Sequence, residues 1–323
     1  MRRLEAAARR AEAWLYAPGD PRRLAALRIG LGAVLAVRLA TGPYQELARQ
    51  PAALFRPISF LRLLDAMPPP TVVAVLQVVA VAAAILATLG VAARVTLPIA
   101  FLAGLPLIAM TSSIGKVVHN DVLLLLVLVP LLPAPTGDAW SLAALRRRGR
   151  RGRGPRPRMG RSAAPRHGWP VRTAMVVVAG AYFFTGLAKL LHAGPAWVAS
   201  GNLRWVLYAS SDAQAVPNPA ALLVADRPWL AHLVALATLA LELSFPLVLV
   251  RPRAAWVLVP GVLGLHAGIW VAMGLNYWPM AVTVVLVLVD WAALADRLYS
   301  QFLRLKKNHR PAPDPTMSPS AQA

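Results

Sequence analysis

The stretch from Thr71 to Gly90 reads TVVAVLQVVAVAAAILATLG, with no charge and a single amide, Gln77. Wound as a helix, a run of about 20 apolar residues matches the hydrocarbon thickness of a bilayer. Val117 to Leu132 is a second run of the same kind. Neither shows the alternation over about ten residues that marks a strand of a membrane barrel. The composition agrees: 323 residues, 58% hydrophobic and 15% charged, too apolar for an ordinary soluble domain. The predicted class is all-α, a polytopic integral membrane helix bundle of about eight transmembrane helices. Their expected ranges are about 23–40, 70–89, 93–110, 117–133, 171–191, 229–250, 254–272 and 279–296. The seventh is interrupted by Pro260, Gly261 and Gly264.

The chain has no cysteine, which excludes disulfides, thiolate catalysis and cysteine-bound metal centres. Its opening, Met1-Arg-Arg-Leu-Glu-Ala-Ala-Ala-Arg-Arg-Ala-Glu12, is charged and amphipathic and has no signal-peptide pattern. The net charge of +21 could suggest nucleic acid, but its distribution follows the membrane. With an even number of spans, about 25 of the 34 basic residues gather on one side: residues 2–23, Arg94, 146–172, Arg251, Arg253 and 297–310. That is the positive-inside pattern, and it predicts a cell-membrane, inner-membrane location with both termini cytoplasmic. No nucleic-acid partner is expected.

The implied organisation is a cytoplasmic amphipathic segment 1–19, a transmembrane domain 20–297 and a tail 298–323. A basic cytoplasmic loop, 146–168, interrupts the domain. Gly, Pro and self-repelling Arg predict disorder in the loop and a contact with anionic lipids; the Pro- and Ser-rich tail also reads as disordered. Residues 196–208, with Trp197 and Trp205, read as a short helix on the outer leaflet.

Several polar residues then fall at membrane depth. A charged amine there costs roughly 3 kcal/mol at a helix centre and less near the ends. Tyr182, Thr185, Lys189 and His192 follow helical spacing on one face of the fifth span. Lys116, His119, Asn120 and Asp121 open the fourth span, and His266, Asn276 and Tyr277 close the seventh. Lys189, His119 and His266 are therefore expected at similar depth, around a pocket opening outward. Each has a structural alternative. Lys189 can snorkel, His119 can bond backbone at a helix start, and His266 can pack between helices. Asp121 can favour a helix dipole, and Glu242, near or below the midplane, can pair with Arg28 or a hydroxyl. His232 lies on the Glu242 face, roughly 15 Å nearer the outside. Arg28 and Arg38 are expected at opposite ends of the first span, snorkelling. No HExxH, no His–x3–His pair and no GxSxG is present, so neither a metal site nor a serine hydrolase is expected.

Four segments carry a family resemblance. They are Asp20-Pro-Arg-Arg-Leu-Ala-Ala-Leu-Arg28-Ile-Gly30-Leu-Gly, Val118-His119-Asn120-Asp121-Val-Leu-Leu-Leu and Tyr182-Phe-Phe-Thr-Gly186-Leu-Ala-Lys189-Leu with Trp197 and Gly201. The fourth is Leu265-His266 with Gly274-Leu-Asn-Tyr277-Trp-Pro-Met. With these the chain resembles the horizontally transferred transmembrane (HTTM) family, which includes the vitamin K-dependent gamma-carboxylase. The third segment, Gly–x–x–Lys–Leu followed by Trp and Gly, is the most specific. The resemblance implies that Lys189 deprotonates a reduced quinone of the vitamin K or menaquinone type and that His119 assists. Oxygen then yields a strong base that abstracts a proton from a peptide glutamate, and carbon dioxide adds. Tyr182, Thr185, His266, Tyr277 and Trp197 are the candidate cofactor-binding residues, and Asn120, Asp121, His192 and Glu242 are candidate structural or partner groups. The chemistry is physically coherent: such a base must be neutral, and desolvation disfavours an ammonium. The peptide substrate would enter from the extracytoplasmic side. The sequence departs from the carboxylase where Ala188, not a second lysine, precedes Lys189. Bacterial members include some in toxin-peptide maturation, so a non-catalytic role in maturation, immunity or transport stays open beside the quinol-dependent enzyme.

Overall fold

The computed structural model of the protein describes residues 1–115, 118–150 and 163–308. Lys116, most of the basic loop (151–162) and the end of the tail (309–323) lie outside the described residues. The chain divides into Met1–Val289 and Asp290–Ala323. The principal helices of the first unit are α1 (Arg2–Leu15), α2 (Pro21–Thr41), α3 (Pro70–Leu89), α4 (Ala93–Thr111), α5 (Val122–Leu128), α6 (Pro165–Ala193), α7 (Pro228–Ser244), α8 (Ala255–Met273) and α9 (Trp278–Leu288). Short helices at Tyr44–Ala48, Leu142–Arg150, Ala196–Ala199, Asn202–Asp212 and Pro219–Ala225 fill the connections. Among the described residues, the second unit is one helix, α10 (Trp291–Asn308), basic and amphipathic in sequence.

Among the described residues, five helices are long and apolar enough to cross a membrane: α2, α3, α4, α6 and α8 with its lead-in from Pro252. The number rises to seven if Pro219–Ala225 with α7, bent by 98°, and α9 with the start of α10 each count as one span. These helices mark the chain as an integral membrane protein. The expected eighth span, the fourth in order, is not a full-length helix. α5 and the 3-10 turn that extends it to Leu131 rise only about 15 Å, half the hydrocarbon core. Pro130 removes a backbone donor and Pro133 and Pro135 follow it. At the other end, Val118 is held out of the helix by Ser112, whose hydroxyl donates to its carbonyl (2.8 Å) and accepts from its N–H (2.9 Å). Residues 142–150 and 298–308 lie in helices, and the rest of the expected disordered loop and tail falls largely outside the described residues.

α3 packs most extensively on α4 and next on α2. Its buried seam is Ala80, Ala83, Ala84 and Ala87, small side chains that let backbones close in where lipid offers no hydrophobic drive to associate. α6 also packs on α2 and touches α5, α7 and α9. Cross-contacts fix which helix ends meet. Gly19 pairs with Ala164, and Arg172 of α6 donates to the carbonyls of Leu15, Ala17 and Pro18. Arg28 of α2 is fully buried and does not snorkel. Its guanidinium donates to the carbonyls of Thr136 (2.7 Å), Ala139 (3.4 Å) and Trp140 (2.5 Å), binding the turn after α5 onto α2. At the opposite end of α2, Arg38 does not snorkel either; it grips the buried carboxylate of Asp121 through two bonds of 2.7 and 2.8 Å. The side chain of Asp121 therefore serves Arg38 and makes no cap bond to α5.

Gly90 ends α3 with φ +74, its N–H on Ala87 and that of Val91 on Leu86 (3.0 and 2.9 Å), a left-handed cap. An added Cβ would also lie 2.4 Å from Ser141 Cβ. Gly90→Ala is expected to cost at least about 1–2 kcal/mol. Thermal unfolding in detergent checks this, and an unchanged midpoint would show that the α3–α4 corner tolerates a side chain.

Tyr44, fully buried after α2, donates to the Arg38 carbonyl at 3.3 Å. Burial first, and the charge of Asp121 second, push its phenol up to about 12 from 10, against an opposing effect of Arg38. The unfolded chain would release this proton near pH 10 and the folded chain near 12. The stabilisation is thus intact below pH 10 and drains away towards 12, by about 2–3 kcal/mol. Unfolding free energy measured across that window is expected to fall less steeply in Tyr44→Phe; an identical slope would assign the titration elsewhere.

Candidate functional site

Helix α6 begins with Pro165 at its first turn and carries no charged residue between Arg172 and Lys189. One turn before Lys189, Gly186 presents bare backbone to α7. A Cβ built there would meet Glu242 Cβ at 2.9 Å and Leu243 Cδ2 at 3.2 Å. This close approach brings Glu242 under Lys189, and Lys189 Nζ donates to Glu242 Oε1. Side-chain exposure is 18% for the lysine and 5% for the glutamate, so little water screens the pair. The chain then turns at Gly194 into the short helix Ala196–Ala199, which lays the Trp197 ring 5.1 Å from Lys189 Nζ, within cation–π range.

Beside this group lies an open hollow of about 830 Å3, lined by Phe184, Ala188, Lys189, Ala196, Trp197 and Asn202 among others. Thr185 and His192 also face it, though each bonds to its own helix: Thr185 Oγ1 donates to Ala181 (2.7 Å), and His192 Nδ1 lies 2.8 Å from the Ala188 carbonyl. Lys189 is the one charged residue of the lining.

Tyr182 shares the helix but turns inward and does not line the hollow. Its ring stacks on Phe245 at 4.4 Å, three residues beyond Glu242, and its hydroxyl meets His266 Nε2 at 2.7 Å. From His266 the aromatic series continues to Tyr277 at 5.8 Å and from Tyr277 to His119 at 5.2 Å. Burial raises the Tyr277 phenol above its ordinary value. His119 is exposed, in the turn before α5, and Asn120 beside it donates to the Asn276 carbonyl at 2.9 Å. The expected common pocket thus resolves into two groups. Lys189, Glu242 and Trp197 border the hollow; Tyr182, His266, Tyr277 and His119 run behind it, and neither histidine is among its lining residues. His232 is half-buried on α7. Three buried polar atoms here, Glu242 Oε2, His266 Nδ1 and Trp197 Nε1, have no hydrogen-bond partner among the described residues. No group of three His, Cys, Asp or Glu among the described residues is arranged to hold a metal ion.

The partnership of Lys189 with Glu242 overturns the pairing expected of Glu242 with Arg28 or a hydroxyl. Residue counting alone places Lys189 at the outer end and Glu242 deeper. From the level of Gly186, α6 continues for about 10 Å and α7 extends in the opposite chain direction for about 20 Å. The first turns of α7 overhang α6, and the two charges come level. One signal was available: Glu242 is the one acid within the apolar run 229–250, and Lys189 the one lysine or arginine in the last five turns of α6.

The chain matches no protein-family model, no curated protein and no solved structure.

Removing one partner of such a pair leaves a buried charge uncompensated. Glu242→Leu is expected to destabilise the protein by about 3–5 kcal/mol. Adding Lys189→Met to that variant should restore a large part of the loss. Denaturant titrations of both single variants and the double variant test this, and strictly additive losses would sink the coupling.

Proposed function

We propose that the protein is a membrane enzyme of the HTTM type, similar to gamma-carboxylase, in which Lys189 is the base for a reduced quinone held in the hollow beside it. The observation that carries this reading is a lysine, oriented by a buried carboxylate and an indole, on the wall of a largely apolar hollow. The residues present fit such a ligand. The volume lies in the range of small-molecule sites, and Phe184, Ala188, Ala196 and Trp197 offer apolar contact to a ring and tail. Thr185, Ser200 and Asn202 offer polar contacts at the rim.

When bound, the quinol would supply an acidic hydroxyl and two reducing equivalents. Lys189 and Glu242 handle the proton. With the Glu242 carboxylate ionised, a neutral Lys189 Nζ would accept one proton from a hydroxyl, and the ammonium so formed would be held by that carboxylate and the Trp197 face. Tyr182, stacked beneath, fixes the α6–α7 seam that keeps the two level. His119 stands at the end of the aromatic series and acts on Lys189 only through other residues. With the basic end of the bundle in the cytoplasm, both termini lie inside and the hollow opens outward, where a peptide can reach it. The basic loop then meets anionic lipids.

One observation favours a second reading. Lys189 already has a close partner, as a purely structural clamp would, and a non-catalytic maturation or immunity factor would need no more. Purified protein in lipid, given reduced menaquinone or vitamin K, oxygen and a glutamate-containing peptide, separates the two. Quinone epoxide is expected from the wild type and at least a hundredfold less from Lys189→Ala, a loss of the size general-base catalysis provides, about 10²–10⁴. Mass gain of the peptide by carbon dioxide then tests carboxylation. Equal epoxide from both proteins would remove Lys189 from the chemistry, and no epoxide with either quinone would favour the structural clamp.

A further inference from the structure

Helix α1 is held at one end and uncovered along its length. None of its residues is buried, and Leu4 is 76% exposed. At 100° per residue, Leu4, Ala7, Ala8, Ala11, Trp14 and Leu15 fall within one third of the circumference. Arg2, Arg9, Glu5 and Glu12 occupy the opposite side, and Arg3 and Arg10 flank the apolar stripe next to Trp14. An apolar stripe on a short helix, left bare by the protein, needs another cover.

The place of the helix says what that cover is. Arg172 of α6 holds the carbonyls of Leu15, Ala17 and Pro18 and stands 5.9 Å over the Trp14 ring. Five residues after α1 ends, α2 begins, capped by Asp20, and it is one of the five helices long enough to cross a bilayer. The same end of the bundle carries Arg22, Arg23, Arg94 and Arg166 at or near the starts of α2, α4 and α6. Tethered there, α1 is at the level of lipid headgroups. It outnumbers its two glutamates with four arginines.

We infer that α1 lies flat in the bilayer interface, its Leu4–Ala11–Leu15 stripe among acyl chains and its arginines on anionic headgroups. The surface it recognises is a lipid surface rich in phosphate-bearing anionic lipid. This assignment is independent of what Lys189 does.

The absence of cysteine makes the test clean, because any introduced cysteine is unique. Four charge-conserving variants of the full chain suffice: Ala8→Cys and Ala11→Cys on the apolar stripe, Ala6→Cys and Ala13→Cys on the arginine side. Each is spin-labelled in nanodiscs of phosphatidylglycerol or of phosphatidylcholine. Its accessibility to oxygen, which partitions into acyl chains, is compared with that to a water-soluble nickel chelate. In the anionic discs the stripe labels are expected to show a several-fold higher oxygen-to-nickel ratio than the arginine-side labels. The contrast should shrink in phosphatidylcholine. It should also shrink when salt rises from about 0.1 M to 1 M, which shortens the screening length from about 10 to 3 Å, and in the variant with Arg2, Arg3, Arg9 and Arg10 all changed to Gln. Equal nickel access on both sides in anionic discs would place α1 in water and overturn the inference. A contrast indifferent to lipid charge, salt and the arginines would overturn the headgroup recognition. Spin–spin coupling between stripe labels of two molecules would show a second copy as the cover instead.

Discussion

Inside a bilayer no water is present to satisfy a polar group, so every such group must find its partner in the protein. That constraint organises this bundle. Arg28 holds the carbonyls of the turn after α5, Arg38 holds Asp121, Tyr182 holds His266, and Lys189 holds Glu242. The partners in these four ties are 108, 83, 84 and 53 residues apart. Apolar helices gain little by leaving lipid for one another. The polar ties, with the alanine seam of α3, are what specify which helix lies beside which.

How much of this was readable from the chain depends on the kind of force. Helices that simply dissolve in lipid announce themselves by composition. α2, α3, α4 and α8 start and stop within about two residues of the expected bounds. α6 runs six residues further at its start because Pro165 opens a helix whose first turns carry polar groups that a hydropathy reading excludes. α5 was misjudged because an apolar composition says nothing about donors lost at Pro130 or about the clasp of Ser112 on Val118. Leu123, Leu124, Leu125, Val127 and Leu128 are buried in the bundle whether or not the helix crosses.

The site was half legible for the same reason. The spacing from Tyr182 to His192 places side chains around one helix, and those residues do lie along one side of α6. What spacing cannot fix is the height of a neighbouring helix. The connection through Pro219–Ala225, bent by 98° from α7, lifts the start of α7 past the end of α6, and only then does Glu242 stand level with Lys189. Gly186 completes the match by removing the side chain that would hold the helices apart. Tyr182 and Thr185, neighbours by helical arithmetic, part company because one faces α7 and α8 and the other the hollow. The face read as a unit is the border between a packed seam and an open cavity.

The grip of Arg28 also has a consequence in time. Ribosomes deliver the chain at roughly 5–20 residues per second. The carbonyl of Thr136 therefore emerges several seconds after Arg28, which lies 108 residues earlier. During that interval α2 is a membrane helix carrying an unclaimed guanidinium, at a cost of up to roughly 3 kcal/mol, the insertion-scale value for a helix centre. Its first passage into lipid is thus provisional. Only when the turn after α5 has been made are the carbonyls of Thr136, Ala139 and Trp140 there to take up the Arg28 guanidinium.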